Sequence, residues 1–245
     1  MIDLSAIKPR LRVLVAPDWT ARLGFGKIGI GYDQATTENE LSNPACITVT
    51  EREGALFCQR LIIRFKSANY KLRLAMLELI LDDLAAAGKR ARRLVIDATS
   101  EQGAAQQAAD QFRGRVPVEF YVASKNIEDG AGKVKMKYLS KTLLCDRYRQ
   151  TFEDNAQAMP PDAWLLADHS LVKVKAGRFD VEEDAAGNHG DSWMSGMMAL
   201  WALLSRAERA ELFTVDIRGN KGGKNYPGLL PCFQRTGRKG GPLVA

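Results

Sequence analysis

Three aspartates stand where apolar and polar stretches meet, and a carboxylate so placed needs a cation or hydrogen-bond donors beside it. Asp33 ends 27–33 (KIGIGYD), in which Ile28 and Ile30 alternate with glycines; Asp97 falls within 93–101 (RLVIDATSE); Asp191 ends 188–191 (NHGD). Oxygen ligands of this kind suit Mg²⁺ or Mn²⁺. Phosphodiester hydrolysis often uses two such ions about 3.5–4 Å apart, one acidifying the attacking water and one steadying the leaving oxygen. A site of that sort draws three or four carboxylates from rigid elements that the fold brings together. The expectation is that Asp33, Asp97 and Asp191 converge on one divalent-metal site. Taken singly, each also fits a structural role: Asp33 in a turn, Asp97 capping the next helix, Asp191 as a helix N-cap.

Lesser candidates surround these three. Glu38 and Glu101 are further carboxylates; Glu101 follows Asp97 by one helical turn, or is a helix N-terminal acid favoured by the dipole. His189, two residues before Asp191, is placed to orient a water or touch phosphate, or is a solvated loop histidine, and His169 reads as structural. Lys133, Lys135, Lys137 and Lys141, with Tyr138 among them, make a basic face fit for phosphate or simply for solvent. Lys173, Lys175 and Arg178 suggest a finger that grips a nucleic acid, since Lys173 and Lys175 share one strand face. Rival chemistries are poorly supplied: there is no convincing Ser-His-Asp or Cys-His set, and two histidines make a poor zinc site.

These side chains must be held by elements that the hydrophobic pattern indicates. Strands are expected at 27–33, 46–51, 54–66, 94–97 and 116–123, the first three as an antiparallel meander with a tight turn at 52–54. Helices are expected at 70–87, 101–112 (capped by Thr99 or Ser100), 135–155 and 191–206. Segment 163–182 alternates like a hairpin turning near 176–177, and residues 1–26 read as irregular, with Trp19 and Phe25 as anchors. Trp193, Met197, Leu200, Trp201 and Leu204 form a core stripe on the last helix. The result is an α/β protein with a central mixed five-stranded sheet, flanking helices and an added β-hairpin. If the strands ending in Asp33 and Asp97 are parallel neighbours, both carboxylates emerge at one edge, and the last helix can lay Asp191 across it.

A chain of 245 residues suits one domain, or two, and its 46% apolar and 26% charged residues are ordinary for a globular protein. The reading is a single domain over 1–217 and a Gly- and Lys-rich tail over 218–245. A net charge of +6 fits a polyanionic partner without demanding one. Neither a run of about 18 apolar residues nor a signal-peptide core is present, so a cytoplasmic setting and no membrane partner are expected. Cys46, Cys58, Cys145 and Cys232 form no CxxC pair and are expected as buried or idle thiols.

Taken together, GYDQATTE, SNP, IDATSE after a helix, and GNHGDSWMSGMMALWAL resemble the C-terminal nuclease domain of bacteriophage large terminase subunits, within the ribonuclease H-like superfamily. The similarity runs from about Gly29 to Leu203. It implies a metal-dependent endonuclease that cuts double-stranded, concatemeric viral DNA during genome packaging, with Asp33, Asp97 and Asp191 binding two Mg²⁺ or Mn²⁺ ions. Implied partners are DNA, the terminase ATPase motor, the small terminase subunit and the capsid portal, in the host bacterial cytoplasm. The pattern departs from whole large terminases in one respect. No GxxxxGK[ST] motif occurs; Gly219–Lys224 has the wrong glycine spacing and Asn225 where Ser or Thr is required. The nuclease half alone is expected, as an excised domain or a split gene product. The alternatives are another ribonuclease H-like nuclease (a junction resolvase or transposase core) and a docking module that does not cut.

Overall fold

The computed structural model describes residues 12–14, 18–35, 44–129, 136–175, 178–185 and 188–204. The 218–245 tail, Cys232 and Glu38 lie outside the described residues. After β1 (Arg12–Leu14) and a 3₁₀ turn at Trp19–Arg22 come β2 (Lys27–Asp33), β3 (Ala45–Glu53) and β4 (Leu56–Phe65). Helix α1 (Tyr70–Ala86), β5 (Ala91–Asp97), α2 (Gln102–Gln111) and β6 (Val118–Tyr121) follow. The second half holds β7 (Asn126–Asp129), β8 (Met136–Leu139), α3 (Ser140–Glu153), β9 (Gln157–Ala158), α4 (Ala163–Ser170), β10 (Val172–Lys175), β11 (Arg178–Val181) and α5 (Asp191–Leu203).

The main sheet runs in the order β1-β4-β3-β2-β5-β6, with β9 beside β4. All five expected strands are in it, and β2, β3 and β4 form the expected antiparallel meander. β1 and β9 enlarge it to seven strands, because β4 has an edge that each of them pairs along in part. β5 lies parallel to both β2 and β6. Alternation divides the side chains between two layers. Ile28, Ile30, Ile47, Ile63, Leu94 and Ile96 pack with Leu77, Ile80 and Leu84 of α1 and Phe112 behind α2. On the opposite face Val95 and Tyr121 meet Leu144 and Tyr148 of α3 and Met197, Leu200 and Trp201 of α5. Each fully buried Leu, Ile or Phe in such a layer contributes about 1.5–3 kcal/mol of transfer free energy.

Four local readings change. The 163–182 hairpin is a helix followed by a shorter hairpin: Asp162 caps α4 by accepting from the Leu165 backbone N–H, and Leu165, Asp168 and His169 turn inward at helical spacing. Among the described residues of that segment, only β10 and β11 pair as a hairpin. The first residues of the expected 135–155 helix form β8, which pairs with β7 as a second hairpin. Neither Thr99 nor Ser100 caps α2; Glu101 holds that position without a side-chain cap bond. Thr99 is occupied elsewhere, as described below. Trp19 is a buried anchor, whereas Phe25 is 105% exposed, with the Lys89 ammonium 5.0 Å from its ring centre. Cys46, Cys58 and Cys145 are buried thiols. No helix among the described residues is long and apolar enough to cross a membrane.

Candidate active site

Two glycines set the height of α5 above the sheet. A Cβ on Gly31 would lie 2.0 Å from the Ser195 carbonyl oxygen and 2.4 Å from the Ala199 nitrogen; one on Gly29 would lie 2.5 Å from the Ala199 carbonyl oxygen. Backbone therefore rests on backbone, and the Thr48 and Ser195 hydroxyls hydrogen-bond at 2.7 Å beside the contact. Two residues of strand advance about 6.6 Å and four residues of helix about 6 Å. The steps match: Gly29 lies at Ala199, Gly31 at Ser195, and the next pair in the series is Asp33 and Asp191. The glycine alternation in KIGIGYD thus brings the first residue of α5 to the end of β2.

Asp97 reaches the same edge by strand register. Tyr32 of β2 pairs with Ile96 of β5, so Asp33 and Asp97 close adjacent parallel strands one step further on. Both belong to the α5 side of the sheet, as Gly31 and Val95 do two residues earlier. The Gln34 amide ties the two strand ends together by donating to the carbonyls of Asp97 (2.6 Å) and Glu101 (3.1 Å). Thr99 fixes Asp97 through a backbone N–H donated to its Oδ1 (2.8 Å), while the Thr99 hydroxyl accepts from the Ala123 N–H (3.0 Å).

A carboxylate that the sequence did not single out holds Asp191 in place. Asp168, on α4, is fully buried; its Oδ1 accepts from the Gly190 N–H and its Oδ2 from the Ser192 N–H, each at 2.9 Å, and from the Ser192 hydroxyl. These donors flank Asp191 on both sides. Gly190 carries a φ of 70°, and any side chain there would also meet Val172 and Val181. His169 supports the same wall. Its Nδ1 donates to the Leu165 carbonyl (3.0 Å), its Nε2 accepts from the Tyr148 hydroxyl (3.2 Å), and burial pushes the imidazole down to about 4, so it is neutral. Only its burial and this network identify Asp168, and neither is visible in a local pattern.

The electrostatics of the edge favour a cation. Burial raises the Asp33 carboxyl well above the usual carboxylate range, and the charges of Asp191, Asp97 and Asp168 raise it further against the Lys141 ammonium. Burial also raises Asp97, opposed by its Thr99 hydrogen bonds and by Lys141. Asp191, 3% exposed, is pushed up to about 8, by burial first and then by Asp168, with Arg64 and Lys66 opposing. Its Oδ2 is buried with no hydrogen-bond partner among the described residues. An all-oxygen donor set with an orphaned carboxylate oxygen fits Mg²⁺ or Mn²⁺. Among the described residues no three His, Cys, Asp or Glu side chains are gathered closely enough to hold an ion as they stand. The three carboxylates share an edge rather than a closed cage.

The remaining expected residues are distributed as follows. Glu101 is half-buried at the start of α2, and His189 is half-buried beside Gly190. Lys141 is the second residue of α3, at the same sheet edge. Lys137 lies on β8, and Lys133 and Lys135 fall outside the described residues. Lys173, Lys175 and Arg178 are exposed on the β10–β11 hairpin, but Lys175 is held by Asp180 (3.3 Å) and Glu182 (3.0 Å), which reduces the charge of that finger.

No protein-family profile and no curated protein matches the chain. Solved structures do. The human cytomegalovirus terminase nuclease domain matches with a TM-score of 0.51 at 14% identity, over 80% of this chain and 97% of that one. The large terminase nuclease from thermophilic phage G20c matches with a TM-score of 0.48 at 15% identity, over 76% and 84% of the two chains. The large terminase nuclease domain from bacteriophage SPP1, solved with bound Mn, matches at 0.46 and 12%, over 77% and 92%. A sheet that places β5 between β2 and β6, with α5 across one face, is thus a ribonuclease H-like fold, shared with the cytomegalovirus terminase nuclease domain.

Proposed function

We propose that the protein is a divalent-metal-dependent endonuclease that cuts double-stranded DNA during viral genome packaging. The observation that carries this reading is the meeting of three desolvated aspartates from β2, β5 and α5 at one sheet edge, one of them with a buried oxygen lacking a partner among the described residues. Asp33, Asp97 and Asp191 would hold two Mg²⁺ or Mn²⁺ ions, with Glu101, His189 and Glu38 as candidates for completing the shell. Bound there, the ions would supply Lewis acidity to a water and to the leaving oxygen of the phosphodiester. The chain's own contribution is positional. The glycine seat sets the height of Asp191, the Asp168 bonds fix the backbone around it, and the Thr99 N–H orients Asp97. Lys141, whose charge reaches Asp33 and Asp97, is suited to a phosphate of the cut strand. The fold shared with the cytomegalovirus domain supports a terminase setting; in that setting an ATPase motor, a small subunit and a portal would be the partners.

Supercoiled plasmid incubated with EDTA, Mg²⁺ or Mn²⁺ tests the proposal. Nicking and linearisation are expected with metal only, and Asp97→Asn is expected to lose at least 100-fold in rate. Metal-independent nicking, or an Asp97→Asn variant that cuts as fast as the parent, would overturn it.

A further inference from the structure

A second feature of the same edge is cationic, and nothing in the sequence pattern drew attention to it. Cross-strand partners share a face. Asp33 of β2 pairs with Cys46 of β3, and Cys46 pairs with Arg64 of β4. Asp97 of β5 pairs with Tyr121 of β6. One row therefore crosses the α5 side of the sheet in the order Arg64, Cys46, Asp33, Asp97, Tyr121. Because β2, β4, β5 and β6 all run the same way, this row lies at their C-terminal ends, and Lys66 follows directly after β4 there. Beyond β6, at the other end of the row, the α3 start is fastened by the Ser140 hydroxyl donating to the Val122 carbonyl. That fastening sets Lys141 at the far flank.

The two flanks bracket the carboxylates. Four strand spacings of about 4.8 Å separate β4 from β6, or about 19 Å. At one phosphate per 3.4 Å per strand, that spans about five to six phosphates. Arg64 is prepared for such contact. Its guanidinium lies 5.3 Å from the centre of the Trp164 ring; its Nε is buried with no hydrogen-bond partner among the described residues, so any phosphate contact falls to the terminal nitrogens. The Trp164 indole N–H in turn donates to Asn188 Oδ1 (2.9 Å), at the head of the loop leading to Asp191. A planar guanidinium held on an aromatic shelf presents its donors at little entropic cost.

We propose that Arg64 and Lys66 form a phosphate-binding flank opposite Lys141, and that the strand to be cut runs along the sheet edge across the ends of β4, β3, β2, β5 and β6. This rests on the nuclease reading for the identity of the ligand, and its test separates the two. Binding of a fluorescent 20-base-pair duplex is measured by anisotropy in EDTA between 50 and 200 mM KCl, for the parent, Arg64→Gln, Lys66→Gln and the double variant. Arg90→Gln, an exposed cation just before β5 at the opposite edge, is the charge-matched control. Each lost contact lowers the slope of log K against log[salt] by about 0.9, so over this range the parent should lose about 12-fold more affinity than the double variant. The control should keep the parent slope. Lys66→Gln, which leaves both Arg64 and Trp164 in the chain, keeps the test valid if Arg64→Gln unfolds. A parent that binds no duplex, or a Lys66→Gln slope equal to the parent's, overturns the proposal. Slopes that fall as expected in a protein that never cuts plasmid would uphold this flank while overturning the nuclease reading.

Discussion

The seating of α5 on glycine makes a prediction that joins fold to chemistry. In Gly31→Ala the new Cβ would stand 2.0 Å from the Ser195 carbonyl oxygen and 2.4 Å from the Ala199 nitrogen. Both obstacles are backbone, so no rotamer change relieves them; ordinary contact at about 3.4 Å requires α5 to move outward by roughly 1.4 Å. Overpacking of this kind destabilises by about 1–3 kcal/mol, which for a domain of this size lowers the Tm by roughly 2–12 °C. The same movement carries Asp191 away from Asp33 and Asp97. A misplacement of about 1 Å costs on the order of 100-fold in rate, more than the lost stability would cause well below the Tm. The assay is plasmid nicking in Mn²⁺ at 25 °C, with thermal unfolding followed in parallel. Gly103→Ala, on α2 with open space around it, is the control and should stabilise by about 0.5–1 kcal/mol. A Gly31→Ala protein with parental Tm and nicking rate would refute the backbone seat and the positioning argument built on it.

Two further outcomes follow from the carboxylates. Asp191 has its folded-state value pushed up to about 8 from an ordinary 3.8, so between those limits the folded protein holds a proton that the unfolded chain has released. Metal-free stability should therefore fall as pH rises from about 4 to 8, by up to about 5 kcal/mol. Asp191→Asn should flatten this dependence and raise the metal-free Tm at pH 8, while removing most of the Mn²⁺-induced stabilisation; a variant with the parent's pH dependence would disprove the assignment. Asp168→Asn replaces an acceptor of three hydrogen bonds by a group that presents an N–H at one of its two atoms. We expect a loss of about 2–3 kcal/mol and a rise in the Mn²⁺ concentration for half-maximal nicking, with the KM for DNA unchanged. An unchanged Mn²⁺ requirement would reduce Asp168 to a purely structural role.

Local pattern carried the reading well where a single element decides the matter. Alternation over 27–33, 46–51 and 94–97, the helical spacing of 70–87 and the apolar stripe from Trp193 to Leu204 all reflect one face of one element meeting a core. So does the placing of Asp33, Asp97 and Asp191 at element ends. Local pattern misleads where two periods fit the same residues. AWLLADHS alternates well enough for a strand, and only the Asp162 cap and the inward turn of Leu165, Asp168 and His169 make it a helix. It misleads again at 136–139, where the pairing partner, β7, decides strand over helix.

The sequence by itself therefore determined that Asp33, Asp97 and Asp191 stand at the ends of apolar segments, because burial periodicity is a property of neighbours along the chain. Tertiary structure alone decided what stands beside them. Strand order places Arg64 in one row with Asp33 and Asp97, a buried acid on α4 clamps the loop before α5, and Gly31 sets the distance between Asp191 and the sheet. Each of these depends on register and close approach between segments far apart in the chain, and those are fixed by packing of the whole rather than by any stretch of residues.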